Sequence, residues 1–159
     1  YHIPIVHPEL SKLLDCQQYV TETFDYHSLQ FSPFTSDDTI YGKGKGEAYY
    51  YFIFPNMMLN ILPGRLQTNI ILPLSHRRTL VIFDYFYDDI SSPEALTKIQ
   101  NDIEYSEFIQ QEDIEICEHV QRGLESSVYD KGRFSVETEQ AVYHFQTLLK
   151  KSFKEYLNM

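Results

Sequence analysis

The spacing of apolar and polar positions predicts that the first half of the chain is mainly β-structure. Residues 19–31 alternate with β-branched and aromatic side chains and predict one strand. Between Glu47 and Tyr87, apolar runs separated by Pro-Asn, Pro-Gly and Ser-His-Arg-Arg breaks predict consecutive antiparallel strands. Residues 8–15 predict a short helix starting at Pro8. The glycine-rich residues 42–47 lack the spacing of a phosphate-binding loop and predict a turn.

After Pro93 the apolar positions follow a helical period instead. The sequence predicts one long helix here, because Ser91 or Ser92 can cap its start and no further glycine or proline occurs until Gly123. The stripe predicted to face the core consists of Tyr105, Ile109, Asp113, Ile116, Val120 and Leu124. A charged stripe is predicted to face solvent and consists of Glu112, Glu115, His119 and Arg122.

Residues 136–157 predict a second amphipathic helix. Its predicted inward side chains are Val142, Phe145, Leu148, Leu149 and Phe153. In the strand region, polar side chains interrupt apolar runs at Asn56, Asn60, Gln67 and Asn69. A polar side chain on a buried strand face is costly unless it is hydrogen-bonded. These four residues therefore either bond backbone at the turns or line a wet pocket on the concave side of a curved sheet.

Length and charge limit the class of protein. With 159 residues, 43% of them hydrophobic, residues 1–159 match one domain with a real core. The sequence does not begin with Met, so we expect a piece of a longer polypeptide. The net charge of -10 argues against a nucleic-acid partner and favours a neutral or cationic small ligand. No apolar run approaches a membrane span, and we expect no membrane partner.

The two cysteines predict a reducing location. Cys16 and Cys117 have no near partner and form no C-x2-C pair. This usage is typical of a reducing compartment and excludes a structural zinc site built on thiolates. We therefore expect a cytoplasmic protein.

Candidate chemistry lies at the start of the chain and on the long helix. His2 and His7 are five residues apart, about 140° on an ideal helix, so they converge on one atom only if this segment is irregular. Asp113 on the apolar stripe must be paired, protonated or bound to a metal. Two imidazoles and one carboxylate form the facial triad of non-haem Fe(II) oxygenases. The alternatives are two unrelated histidines and an Asp113 neutralised by a core Arg or Lys.

Two segments carry a resemblance to a known family. The opening YHIPIVHPEL resembles the end of the N-W-K-x-x-x-(D/E)-N-x-x-E-x-Y-H-x-x-x-x-H signature of Rieske-type ring-hydroxylating oxygenase α subunits. The segment QQEDIEICEHVQRGL resembles their E-D-x-x-x-C-E-x-V-Q-x-G-L segment. The likeness runs over nearly the whole chain and is strongest to the choline monooxygenase branch. It implies an α+β helix-grip (START/Bet v 1-like) fold, a curved antiparallel sheet packed on long C-terminal helices.

The resemblance also implies a function. It makes His2, His7 and Asp113 the ligands of a mononuclear Fe(II), the catalytic centre where O2 is activated to hydroxylate a small organic substrate. A quaternary ammonium compound such as choline or glycine betaine is the implied substrate. The alternatives are an aromatic-ring-hydroxylating dioxygenase and, in another class, a non-catalytic ligand-binding helix-grip module.

Electron supply is implied to lie outside this sequence. The family carries a [2Fe-2S] Rieske cluster in an N-terminal domain. This chain lacks the combination of one C-x-H motif and one C-x2-H motif that holds such a cluster. The electrons derive from NAD(P)H through a reductase or ferredoxin. We therefore expect the isolated chain to be inactive and the full-length protein to be a homotrimer.

Six residues are predicted to bind substrate. Ile3 lies beside the first ligand, and Tyr105 and Ile109 precede Asp113 by two turns and one turn of the helix. Tyr51, Phe52 and Asn60 lie on the aromatic strand and the strand after it. Only alternate strand residues can face a pocket, and the sequence leaves open whether this is the set of Tyr51 or the set of Phe52.

Overall fold

The protein has an α+β architecture in which one antiparallel sheet precedes two long helices. The structure is a computed structural model that describes residues 3–39 and 41–157. The helices are α1 (Ile3–Val6), α2 (Leu10–Leu13), α3 (Pro93–Leu124) and α4 (Gln140–Leu157). The strands are β1 (Val20–Thr23), β2 (His27–Pro33), β3 (Asp38–Thr39), β4 (Gly42–Lys43), β5 (Glu47–Ile53), β6 (Met57–Leu62), β7 (Arg65–Ser75) and β8 (Arg78–Tyr87).

Six strands form one sheet in the order β1-β2-β5-β6-β7-β8, and β3 and β4 form a second, two-stranded sheet. All neighbouring strands are antiparallel. The four strands from β5 to β8 confirm the prediction for Glu47 to Tyr87, including its turns. At the Pro-Gly turn between β6 and β7, Gly64 has a φ of 72°, a conformation that favours glycine over residues with a side chain.

The strand predicted over residues 19–31 is wrong, because this segment is a hairpin. β1 ends at Thr23 and β2 begins at His27, and Phe24 N–H donates to His27 O at 2.8 Å across the turn. Asp25 lies in this turn and is a residue type that turns favour. The sequence pattern predicted a continuous strand because the turn contains the aromatic residues Phe24 and Tyr26, which strands also favour.

The opening of the chain is irregular, as predicted, but the helix predicted over residues 8–15 is shorter. Two single helical turns, α1 and α2, lie on either side of Pro8. Pro4 lies in the first turn of α1, where its missing N–H costs no hydrogen bond. His7 N–H donates to Ile3 O at 2.9 Å, so the end of α1 fixes the position of His7.

The long helix α3 confirms its predicted start and end. Ser92 caps it by accepting a hydrogen bond from Ala95 N–H at 3.2 Å, and Pro93 occupies the first helical position. Two details of the predicted stripes are wrong. Ile116, Val120 and Leu124 are exposed because the described residues leave this side of the helix largely uncovered, and Glu112 is not on a solvent face.

Helix α4 starts at Gln140, four residues later than predicted. Phe145 packs edge-on against Phe52, with ring centroids 5.1 Å apart, and this contact joins the helix to the sheet. Phe153 is predicted to face inward but is exposed, whereas Val142 borders the space between α4 and the sheet and is half-exposed. Only part of the predicted apolar stripe of α4 is therefore covered by the described residues.

The register decides which side chains share the concave face of the sheet. Phe52 pairs with Met58, and Met58 pairs with Asn69. One alternate position further along, Tyr50 pairs with Asn60, and Asn60 pairs with Gln67. Side chains directly opposite each other in neighbouring strands lie on the same face, so these six belong to one surface.

No helix within residues 3–39 and 41–157 combines the length and the hydropathy that crossing a lipid bilayer requires.

Candidate active site

A cavity of about 630 Å³ lies between the concave face of the sheet and the helices. Its volume is in the range of sites for small organic ligands. Every predicted site residue that the structure describes lines this cavity: Ile3, His7, Tyr51, Phe52, Asn60, Tyr105, Ile109 and Asp113. His2 lies outside the described residues.

Tyr51 and Phe52 contribute differently to the wall. Phe52 lies on the concave face with Met58 and Asn69. Tyr51 pairs with Leu29 on the opposite face, where its ring centroid is 6.2 Å from that of His27. The set that contains Tyr50 and Phe52 therefore faces the cavity, and Tyr51 borders it from the neighbouring strand position.

His7 lies between two carboxylates of α3. Its side chain is buried, its Nδ1 is 2.9 Å from Glu112 Oε2, and its Nε2 is 3.0 Å from Asp113 Oδ1. Consecutive helix residues point about 100° apart, which lets Glu112 and Asp113 approach opposite ring nitrogens. Glu112 was predicted to face solvent, but its side chain is only 20% exposed because α1 covers this side of α3.

Asp113 lines the cavity without being deeply buried. Its side chain is 41% exposed, so the predicted burial among apolar residues is wrong. The carboxylate is reached from solvent on one side and from the cavity on the other.

The pair formed by His7 and Asp113 fits one edge of a metal site. Two donors bound to an octahedral ion at about 2.1 Å and at right angles to each other lie about 3.0 Å apart. His7 Nε2 and Asp113 Oδ1 are separated by 3.0 Å. Among residues 3–39 and 41–157, no group of three or more His, Cys, Asp or Glu residues is placed to hold a metal, because Glu112 approaches the opposite ring nitrogen.

A second charged cluster contributes Arg65, Gln67 and Tyr41 to the cavity wall, and the sequence did not predict it. Arg65 Nη1 donates to Asp102 Oδ1 at 2.5 Å, and both side chains are almost fully buried. Arg65 also donates to Gln67 and Tyr41, and Tyr87 donates to Asp102 Oδ2 at 2.7 Å. Asp102 is three residues before Tyr105, so extending the inward stripe of α3 back by one turn would have found it.

The phenols near the cavity are held in their neutral form. Burial raises the pKa of Tyr19 to about 12 and that of Tyr105 to about 12. Burial also raises the pKa of Tyr41, although the Arg65 guanidinium acts in the opposite direction. These side chains therefore present neutral aromatic rings to the cavity at ordinary pH.

The polar strand residues divide between the two predicted roles, bonding backbone at a turn and lining a pocket. Asn56 Nδ2 donates to Ile71 O at 3.0 Å and so bonds backbone at a turn. Asn60, Gln67 and Asn69 line the cavity. The concave face therefore combines aromatic rings with three side-chain amides.

Comparison with known proteins identifies relatives of this chain. Residues 41–155 match the family described as Ring hydroxylating alpha subunit (catalytic domain). The chloroplastic choline monooxygenase of Arabidopsis thaliana is 39% identical over 157 residues, which cover 97% of this chain and 36% of that protein. The carnitine monooxygenase oxygenase subunit of Escherichia coli (strain K12) is 26% identical over 169 residues, covering 98% of this chain and 44% of that protein.

A solved structure shows the same fold. A quaternary ammonium Rieske monooxygenase superposes with a TM-score of 0.81 and 24% identity, covering 95% of this chain and 43% of that chain. This likeness confirms the predicted α+β helix-grip class. The chain spans less than half the length of these relatives. Because the family match covers most of its residues, the chain belongs to the catalytic domain family of ring-hydroxylating α subunits.

Proposed function

We propose that this chain is the catalytic domain of a Rieske non-haem iron oxygenase that hydroxylates a quaternary ammonium compound. The observation that carries the proposal is the pairing of His7 Nε2 with Asp113 Oδ1 at the wall of an aromatic cavity. His2 is the third proposed ligand. Two imidazoles and one carboxylate leave positions on the ion open.

The proposed roles of the residues follow from their positions. A mononuclear Fe(II), when bound, supplies the binding and reduction of dioxygen. His7 and Asp113 hold the ion at the cavity wall. Glu112 accepts the Nδ1 proton of His7, which leaves the Nε2 lone pair for the metal. Ile3 and Ile109 keep water away from the bond that reacts.

The cavity suits a quaternary ammonium group. Such a group cannot donate a hydrogen bond, so a protein holds it with aromatic faces. Aromatic side chains from six parts of the fold line this cavity: Tyr19, Tyr41, Tyr50, Phe52, Phe83, Tyr105 and Phe145. The relatives from Arabidopsis thaliana and Escherichia coli are named as a choline monooxygenase and a carnitine monooxygenase oxygenase subunit. Solved structures of a quaternary ammonium Rieske monooxygenase contain γ-butyrobetaine or L-carnitine.

The proposal extends to the electron supply and the assembly. We place the [2Fe-2S] Rieske cluster in a part of the full-length protein outside these 159 residues. A reductase or ferredoxin reduces that cluster, and the full-length protein is a homotrimer. The chain by itself then lacks its electron donor and does not turn over. For the location we propose the cytoplasm, with the plastid as the alternative suggested by the chloroplastic relatives.

Ligand binding tests the substrate class. Calorimetry on the chain loaded anaerobically with Fe(II) should show tighter binding of choline, glycine betaine or carnitine than of naphthalene or benzoate. Tyr105→Leu removes one cavity ring and should weaken the binding of the ammonium ligand by roughly 0.5–2 kcal/mol. Phe108→Leu changes an exposed ring on the same helix and serves as the matched control.

Two outcomes would redirect the proposal. Tighter binding of the arenes would favour an aromatic-ring dioxygenase. Binding of ligands without any binding of iron would favour a non-catalytic ligand-binding module.

A further inference from the structure

Asn69 carries a buried hydrogen-bond acceptor that has no partner within residues 3–39 and 41–157. The residue is 7% exposed, and its Oδ1 makes no hydrogen bond to any described residue. Its Nδ2 donates to Met58 Sδ at 3.9 Å. A thioether sulfur accepts but cannot donate, which agrees with the amide nitrogen facing Met58. The carbonyl oxygen of Asn69 is the amide atom left without a partner among the described residues.

The position of this oxygen connects it to the ligand cavity. Asn69 lines the cavity and pairs across β7 and β8 with Phe83. On the other side it pairs with Met58, which pairs in turn with Phe52. The unpartnered acceptor thus lies in a row flanked by aromatic side chains, where the burial of an unbonded polar atom is costly.

We propose that Asn69 Oδ1 accepts a hydrogen bond from a hydroxyl group of the substrate. The ligand is then a quaternary ammonium alcohol, with its cation against aromatic rings and its hydroxyl on Asn69. A carboxylate has no proton to donate, and its charge is repelled by a carbonyl oxygen. This inference rests on the proposed function and narrows its substrate class.

Most donors of the buried cation of the cavity, Arg65, are engaged by protein partners. The Arg65 guanidinium is paired with Asp102 at 2.5 Å and donates to Gln67 and Tyr41. Its Nε has no partner among the described residues, so an ammonium carboxylate bound there is the competing arrangement. If the hydroxyl binds Asn69, an ammonium alcohol should bind more tightly than an ammonium carboxylate. If the carboxylate binds Arg65, the order of affinities should be reversed.

Calorimetry with matched ligands separates them. Choline should bind the Fe(II)-loaded chain about tenfold more tightly than propyltrimethylammonium, which has a similar size and no hydroxyl. In Asn69→Leu the preference should fall below about twofold, while the affinity for propyltrimethylammonium is retained. Asn69→Asp keeps an acceptor and should keep the preference. Asn101→Leu makes the same change at an exposed position of α3 and should behave as the wild type.

The contradicting results are distinct from a failure of the proposed function. Equal affinity for choline and propyltrimethylammonium in the wild type overturns the role of Asn69 and leaves the quaternary ammonium class intact. Tighter binding of glycine betaine than of choline by the wild type also overturns it, in favour of the carboxylate arrangement at Arg65. Tighter binding of arenes than of every ammonium ligand refutes the proposed function itself.

Discussion

Breaking the buried ion pair between Arg65 and Asp102 should destabilise the fold more than any exposed pair does. Their side chains are 5% and 9% exposed, and the two charged atoms are 2.5 Å apart. Asp102→Asn removes the negative charge at nearly constant volume. The Arg65 guanidinium is then buried without a counter-charge, and Tyr87 loses a charged acceptor.

The size of the effect follows from burial. Removing one partner of a buried pair costs about 3–5 kcal/mol. A domain of this kind has a free energy of unfolding of about 5–15 kcal/mol, so the loss is at least about a fifth of the total. With a urea dependence of about 2 kcal/mol/M, the midpoint of unfolding should fall by roughly 1.5–2.5 M.

Urea unfolding followed by circular dichroism measures this shift. The matched control is Arg77→Gln, because Arg77 bonds Glu125 in an exposed pair between the β7–β8 turn and the end of α3. The control should leave the midpoint unchanged, since exposed pairs are screened by solvent. An unchanged midpoint in Asp102→Asn would refute the claim that this pair is buried and holds α3 to the sheet.

Two further predictions concern the metal and the tyrosines. Glu112→Gln should weaken Fe(II) binding about 10–100-fold in a chelator competition, because the His7 Nδ1 proton loses its charged acceptor. The same change at the exposed Glu115 should have no effect. Equal loss of affinity in both variants would contradict this role of Glu112. Burial raises the pKa of Tyr19 from 10.0 to about 12, so its contribution to stability is complete below pH 10 and is lost as the pH rises through about 12. A urea midpoint that stays constant up to pH 12 would contradict this burial.

The sheet and the long helix were predictable because their signals are local. Each turn between β5 and β8 has its own residues, such as Pro63 and Gly64, and α3 is marked by the Ser92 cap and Pro93. The hairpin at residues 24–26 was missed because aromatic residues occupy the turn. The one turn-favouring residue there, Asp25, is flanked by the aromatic Phe24 and Tyr26, which continue the strand pattern.

The site was predictable only in part, because its contacts join distant residues. The family signatures pointed to His7 and Asp113, which lie 106 positions apart and do meet. Glu112 was assigned to solvent because a helical projection of α3 does not include the helical turn that packs on its side. The pair of Arg65 and Asp102 joins a strand to a helix across 37 positions, and no spacing rule connects them.

Iron binding tests the central claim most directly. Metal analysis after anaerobic loading and desalting should find about one Fe(II) per chain, with occupancy lost in His7→Ala and in Asp113→Ala because each removes one of three protein ligands. Glu115→Ala changes an exposed carboxylate of the same helix and should retain full occupancy. Full occupancy in Asp113→Ala, with loss in Glu112→Ala, would contradict the account by placing the ion on the other side of His7.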